Sequence, residues 1–132
     1  MAGKIVADTL EHSTAGSLDT QFVVNGSAKA WVQFDQSDNG VDGSLNVSSV
    51  TDNGVGDITN NFTNSFSASN YANSGFGGFD NYAQTVWVGG ASSVAIGTWK
   101  ATGSLRSHAT YTNNTKNTDV KDFSLVHFGD LA

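Results

Sequence analysis

Apolar and polar residues alternate through residues 29–34, where Ala30, Val32 and Phe34 fall on one side and Trp31 on the other. A period of two marks a β-strand with one face turned to a core. The same rhythm recurs in residues 123–128, where Phe123, Leu125 and His127 share a side, and in the stretch 105–111. Residues 85–88 and 93–97 read as two further strands. Near the start, residues 5–10 form a short strand-like segment, 12–19 a polar linker, and 21–24 an extended apolar run closed by the turn signal Asn25-Gly26-Ser27.

A hairpin is the best-marked element. Residues 44–51 lead into Asp52-Asn53-Gly54-Val55-Gly56, and 57–63 return, with Ile58 and Phe62 on one side and Asn60 between them. A five-residue connection carrying two glycines joins alternating strands well. Ahead of the hairpin, 35–42 reads as a polar loop. After it, Asn70-Tyr71-Ala72 opens an extended stretch that runs into the glycine-rich Gly75-Phe76-Gly77-Gly78-Phe79. Gly89-Gly90, Thr102-Gly103 and Gly129-Asp130 supply the remaining turns. No segment has helical periodicity of useful length. The expected fold is all-β, an antiparallel β-sandwich or jelly-roll-like domain of about eight or nine short strands. Residues 1–27 are expected to be an N-terminal arm or anchoring segment, and 28–132 the sandwich.

Composition narrows the function classes. Fifteen glycines and no proline mean that turns draw positive φ from Gly, Asn and Asp. Six basic residues against twelve acidic ones give a net charge of -6. That balance disfavours a nucleic-acid partner, which demands a basic patch, and an anionic membrane surface. Disulfides and thiolate metal sites are excluded, since there is no cysteine. The N-terminus lacks the apolar stretch of a signal peptide, so synthesis and assembly in a cytoplasm are expected.

No catalytic constellation is legible. His12, His108 and His127 have no nucleophile or carboxylate beside them at a recognisable spacing, and no cofactor is expected. Asp52 and Asp57, the carboxylates best placed for glycoside hydrolysis, sit in or beside the hairpin loop, where turn chemistry accounts for them. The run Asp35-Gln36-Ser37-Asp38-Asn39-Gly40 resembles the start of a calcium loop, but the twelfth position is Asn46 rather than Glu, which favours a polar turn. The sequons at Asn25, Asn46, Asn61 and Asn113 are expected from an Asn- and Thr-rich chain. Trp87 and Trp99 are expected in the core. Phe76, Phe79 and Tyr82, in or beside a glycine-rich loop, are the candidate interface or receptor-contact residues.

The segments Ala28-Lys29-Ala30-Trp31-Val32-Gln33-Phe34, Asn46-Val47-Ser48-Ser49-Val50-Thr51-Asp52-Asn53-Gly54-Val55-Gly56-Asp57, Asn61-Phe62-Thr63, Asn70-Tyr71-Ala72 and Val126-His127-Phe128-Gly129-Asp130 resemble, in that order, a module of bacteriophage virion proteins. It occurs in marine and cyanobacterial phages, in tail-fibre and other structural proteins. The resemblance implies a non-enzymatic structural protein on the virion surface, a fibre or fibre tip engaged in host attachment. The other placement it allows is a capsid decoration protein or head fibre, which the short chain suits; a small glycan hydrolase is the outlying reading. Other virion proteins, a homotrimeric assembly and a host surface glycan or protein are the partners implied. Asn60 departs from the module, which carries an apolar residue there. An unpaired buried amide costs about 1–3 kcal/mol. Asn60 is therefore expected to be bonded across the sheet, partly exposed or at a subunit contact.

Overall fold

The computed structural model describes Gly3 and residues 5–79, 82–87, 99–110 and 119–132, with the backbone alone for 79, 82–87 and 110. The described chain is all-β and sandwich-like. Its elements are β1 (Thr9–His12), β2 (Gly16–Asp19), α1 (Thr20–Gly26), β3 (Ala30–Asp35), β4 (Gly40–Leu45), β5 (Val47–Gly54), β6 (Asp57–Phe62), β7 (Ala72–Phe79), β8 (Tyr82–Trp87), β9 (Ser104–Thr110) and β10 (Asp122–Phe128). The strands expected around 29–34, 57–63, 85–88, 105–111 and 123–128 are present over the described residues, residues 88 and 111 lying outside these. The strand expected at 93–97, the turn at Gly89-Gly90 and the sequon at Asn113 lie outside the described residues.

Eight strands form one antiparallel sheet in the order β4-β3-β10-β7-β8-β9-β6-β5. Strand β8 makes the corner. Its first residues pair with β7, Gln84 opposite Gly77, and its last pair with β9, Trp87 opposite His108. The two halves fold face to face. Val32 and Phe34 of β3 and Phe123 and Leu125 of β10 share one core cluster with Ile58 of β6, Ala109 of β9 and Val120. These strands are far apart in the sheet order, so their inward side chains meet only because the sheet doubles back.

A second cluster closes one end of the sandwich. Ala30, Phe62, Phe66, Tyr71 and Leu105 are buried together, with Trp99 half-buried against them. Phe62 meets Phe66, Tyr71 and His127 edge-on, at ring-centroid distances of 5.1, 5.8 and 5.1 Å. Phe66 and Tyr71 stack at 4.2 Å. Such ring pairs add about 0.5–1.5 kcal/mol beyond the area they bury. Gly129 lies so close that a Cβ there would stand 2.7 Å from Tyr71 Cβ and 3.2 Å from Phe66 Cδ1. The Tyr71 hydroxyl shares its one proton between the carbonyls of Ala101 and Ser104, both at 3.1 Å.

The structure corrects several sequence expectations. The loop expected at 35–42 is only a tight turn, because β4 begins at Gly40 and pairs with β3. Asp35 accepts from the Ser37 amide at 2.8 Å and Asp38 from the Gly40 amide at 2.8 Å, which are turn contacts of the Asx type. The chain then passes from β4 to β5 at a single residue, Asn46, with φ of 56°. Asn46 Oδ1 accepts from the Asn64 amide at 2.8 Å, and Asn46 Nδ2 donates to the Asn64 carbonyl at 3.0 Å. The glycine-rich stretch 75–79 is strand β7, not a loop, because ladder pairing with β10 holds it extended. Residues 21–24 are helical rather than extended, within a seven-residue α1 that has no side-chain cap and no buried residue.

Asn60 is also settled. It is fully buried, and neither amide atom has a hydrogen-bond partner among the described residues. It is neither partly exposed nor bonded across the sheet, because alternation between Ile58 and Phe62 obliges it to point inward.

Three substitutions test this frame by thermal melting. Gly129→Val is expected to cost about 1–3 kcal/mol through overpacking against Tyr71 and Phe66; an unchanged midpoint would show that the rings give way. Asn46→Ala is expected to destabilise by a similar ~1–3 kcal/mol, since the Asn64 amide loses its acceptor and the φ of 56° is kept by a residue ill suited to it. Gly54→Val is expected to lower the midpoint too, because Gly54 has φ of 128°, where a β-branched residue is strained although space is open.

Candidate functional site

Alternation that sends Val32, Phe34, Phe123 and Leu125 inward sends Trp31, Gln33, Ser124 and Val126 outward. The outer face of β3, β10 and β7 carries a groove of about 350 Å³. Trp31 and Gln33 from β3, Ser124 and Val126 from β10, and Ser74 and Phe76 from β7 line it. Register fixes the layout. Trp31 lies opposite Val126, which lies opposite Ser74; Gln33 lies opposite Ser124, which lies opposite Phe76. The two rings therefore stand diagonally across three strands, their backbone positions roughly 12 Å apart by strand spacing and rise. Trp31 is 39% exposed and Phe76 53%.

The floor of the groove is small and uncharged. The Trp31 ring leans over β4, where Gly43 leaves room: a Cβ there would meet the ring at 3.1 Å. Phe76 lies along its own strand, its Cε1 3.5 Å from where a Cβ at Gly78 would stand. Ser124 Oγ donates to Asp122 Oδ1 at 2.5 Å, which leaves its oxygen able to accept. Gln33 and Ser74 are exposed and have no side-chain hydrogen bond among the described residues.

Of the expected contact residues, the structure places Phe76 in this groove. Phe79 and Tyr82 face each other in register at the end of the β7–β8 hairpin, and their side chains lie outside the described residues, as does that of Trp87. Trp31 and Gln33 had gone unassigned. The signal was present, since a tryptophan on the polar side of a cleanly alternating strand is an exposed aromatic by construction.

A second cluster lies on the outer face of the other half. Asp57 opposes His108 in register, and Arg106 is its diagonal neighbour. Arg106 Nε donates to the Asp57 carboxylate at 2.9 and 3.2 Å, and Arg106 Nη2 also donates to it. His108 Nε2 stands 3.6 Å from Asp57 Oδ1, too far for a hydrogen bond. Burial tends to raise the Asp57 pKa, but the Arg106 hydrogen bonds, helped by nearby positive charge and Asn53, outweigh it and hold the carboxyl below its usual value. Burial lowers the His108 pKa, against the pull of Asp57. Asn53 Nδ2 donates to Asp57 at 3.3 Å and to Thr59 Oγ1 at 2.8 Å, and the Gly56 amide donates to Asp119 at 2.9 Å.

Asp57 was expected to be a loop carboxylate and is instead half of an ion pair, because a separation of 49 positions in the sequence hid Arg106. Asp52 does serve the turn, accepting from the Gly54 amide at 2.8 Å. The expectation that no carboxylate neighbours a histidine is likewise corrected for His108. The pair's visible work is structural: it pins the hairpin loop to β9, and Ser107, its nearest hydroxyl in sequence, points to the opposite face.

The other two histidines have distinct roles. His12 Nδ1 accepts from the Ala15 amide at 3.1 Å and shapes the β1–β2 turn. His127 is fully buried beside Phe62 and Tyr71, with no hydrogen-bond partner for either ring nitrogen among the described residues. Burial, with a smaller contribution from Lys100, pushes its pKa down to about 4. No group of three or more metal-ligating side chains occurs among the described residues.

The sheet order and the aromatic outer groove define an antiparallel β-sandwich-like domain with a built surface site. No family model matches the chain, and neither a curated protein nor a solved structure does.

The histidine in the core makes stability depend on pH. Between the folded value of about 4 and the unfolded 6.5, the unfolded chain binds the extra proton, so stability falls as pH falls through that window. The loss attributable to His127 is expected to reach about 3 kcal/mol near pH 4. Denaturant melts of wild type and His127→Phe check this; equal slopes from pH 7 to 4 would remove His127 as the cause.

Proposed function

We propose that the chain is a non-enzymatic structural protein on the surface of a bacteriophage particle, a fibre or fibre-tip protein engaged in host attachment. One observation carries most of this reading. The stretch 5–26, with β1, β2 and α1, leaves Ile5, Val6, Leu10, Leu18, Phe22, Val23 and Val24 exposed, and those three elements contain no buried residue. A lone two-stranded ribbon and a seven-residue helix are marginal by themselves. Seven unburied apolar side chains on such a segment suit an arm that completes its packing in a larger assembly.

The segments that resemble the phage module support the same reading. They fall in β3, β5 with the following turn, the end of β6, the start of β7 and the end of β10, and include Phe62, Tyr71 and Gly129 of the seam that closes one end of the sandwich. The resemblance thus touches part of the sandwich and leaves β4, β8 and β9 outside it. The groove on the outer side of β3 and β10 gives the sandwich a surface for contact with a host. Association as a homotrimer would bury the arm and the apolar side chains of edge strand β4, Val41 and Leu45.

Two measurements test the proposal. Antibodies raised against this chain are expected to label intact particles at the tail; labelling confined to the head would move it to capsid decoration, and unlabelled particles would end the virion reading. Light scattering is expected to give three times the 13.8 kDa chain mass. A monomer mass that is unchanged on deleting residues 1–27 would count against the arm as an assembly element.

A further inference from the structure

We propose that the groove between Trp31 and Phe76 binds a pyranose ring of a neutral surface glycan, with Trp31 as the stacking platform and Gln33, Ser74 and Ser124 as the hydroxyl-reading groups. The proposal deepens the attachment reading by naming its ligand, and it rests on features of the groove that stand whatever particle the chain belongs to.

The chemistry of the lining argues for this class of ligand. A pyranose offers an apolar C–H face and a rim of hydroxyls, so a site for it needs an exposed aromatic face beside neutral donors and acceptors. Trp31 and Phe76 supply exposed rings on rigid strands rather than on loops. Between them, Gln33 brings an unengaged amide, with two donors and an acceptor, and Ser74 an unengaged hydroxyl. Ser124 is pre-set as an acceptor, because its proton is committed to Asp122. The volume of about 350 Å³ is at the small end of the ligand-pocket range of about 300–1,000 Å³, which suits one or two sugar units rather than a folded partner.

Charge selects among glycans. None of the groove-lining side chains is ionisable, the net charge is -6, and Asp122 stands at the rim. Sialylated, uronic or phosphorylated sugars would meet repulsion and find no cation in the lining to pair with. A flat apolar protein surface would strand Gln33 and Ser74 without water or partners, which disfavours it. A neutral sugar satisfies both requirements at once.

The site is positioned by the fold's own alternation. Gly43 on β4 leaves room for the edge of the Trp31 ring and Gly78 for the Phe76 ring, and both rings stay well exposed to solvent. The rigid backbone beneath them keeps the ordering cost on binding low.

The test uses the full chain. Binding is read on an array of neutral oligosaccharides (glucans, galactans, mannans) with polysialic acid and alginate as anionic controls, and then as amide shifts in an NMR titration with the best neutral hit. The expected result is binding to a neutral glycan, with shifts centred on residues 31–33, 74–76 and 124–126. Trp31→Ala and Phe76→Ala are each expected to weaken it by about tenfold or more, and Gln33→Ala by several-fold, with melting temperatures near wild type because these side chains face outward. Trp31→Phe should recover part of the loss.

Absence of binding by the folded wild-type chain would overturn the proposal. So would preference for the anionic polymers, or affinity indifferent to both Trp31→Ala and Phe76→Ala. If one variant fails to fold, the other and Gln33→Ala decide the question. Glycan binding by a chain that labels no particle would remove the virion reading and leave the groove standing; labelled particles with no glycan binding would do the reverse.

Discussion

Phe62 holds the two ends of the chain's logic together. As the last inward residue of β6, it meets Phe66, Tyr71 and His127 within one cluster. That cluster ties the irregular stretch after the hairpin to the final strand. Gly129 permits the approach by having no side chain, and backbone bonds from Ser67 to Asp130 at 2.8 Å and from Ala132 to Ser65 at 2.9 Å complete the seam. Without it, β10 would lose its support at one end. β10 lies between β3 and β7, so both the folded-over core and the outer groove depend on its position.

The inner and outer faces of those three strands follow from one constraint. Each residue pushed inward by the core fixes the direction of the next. Burying Val32, Phe123 and Leu125 therefore exposes Trp31, Gln33, Ser124 and Val126 as a set. The same rule carries a cost on the other half, where Asn60 and Ser107 are driven inward with no partner for Asn60 Nδ2, Asn60 Oδ1 or Ser107 Oγ among the described residues. A neutral, buried His127 adds to that cost as pH falls. The core is not purely apolar, and its polar members are its pH-sensitive and destabilising ones.

Much of the frame was legible because period-two alternation is a local signal. Strands β3, β6, β9 and β10 could be read from it, and so could the place of the hairpin turn, though the expected five-residue loop is only Val55-Gly56 because β5 pairs with β6 through Gly54. Two kinds of feature escaped. The start of β7 was read as extended, but its glycine-rich part was hidden, because glycines carry no side chain to show a pattern; pairing with β10 is what keeps it extended. Helix α1 contains Phe22, Val23 and Val24, which prefer strands, and it forms with no partner strand beside it in the described structure. The Asp57–Arg106 pair and His108's nearness to it were hidden for a different reason, since only the β6–β9 register brings them together.

The sequence by itself determined the class of fold, the inward set of the clearest strands, and the acidic, uncharged-polar surface. Those are properties of composition and nearest-neighbour periodicity. Tertiary structure alone decided which outward residues became a site. Trp31, Ser124 and Phe76 sit on strands far apart in the chain, and the order β3-β10-β7 makes them neighbours on one face. It also decided that Asn60 and His127 would be buried together with their unsatisfied groups, because packing the two halves leaves no route to water. Alternation chose the faces; the folding of one sheet over itself chose what each face meets.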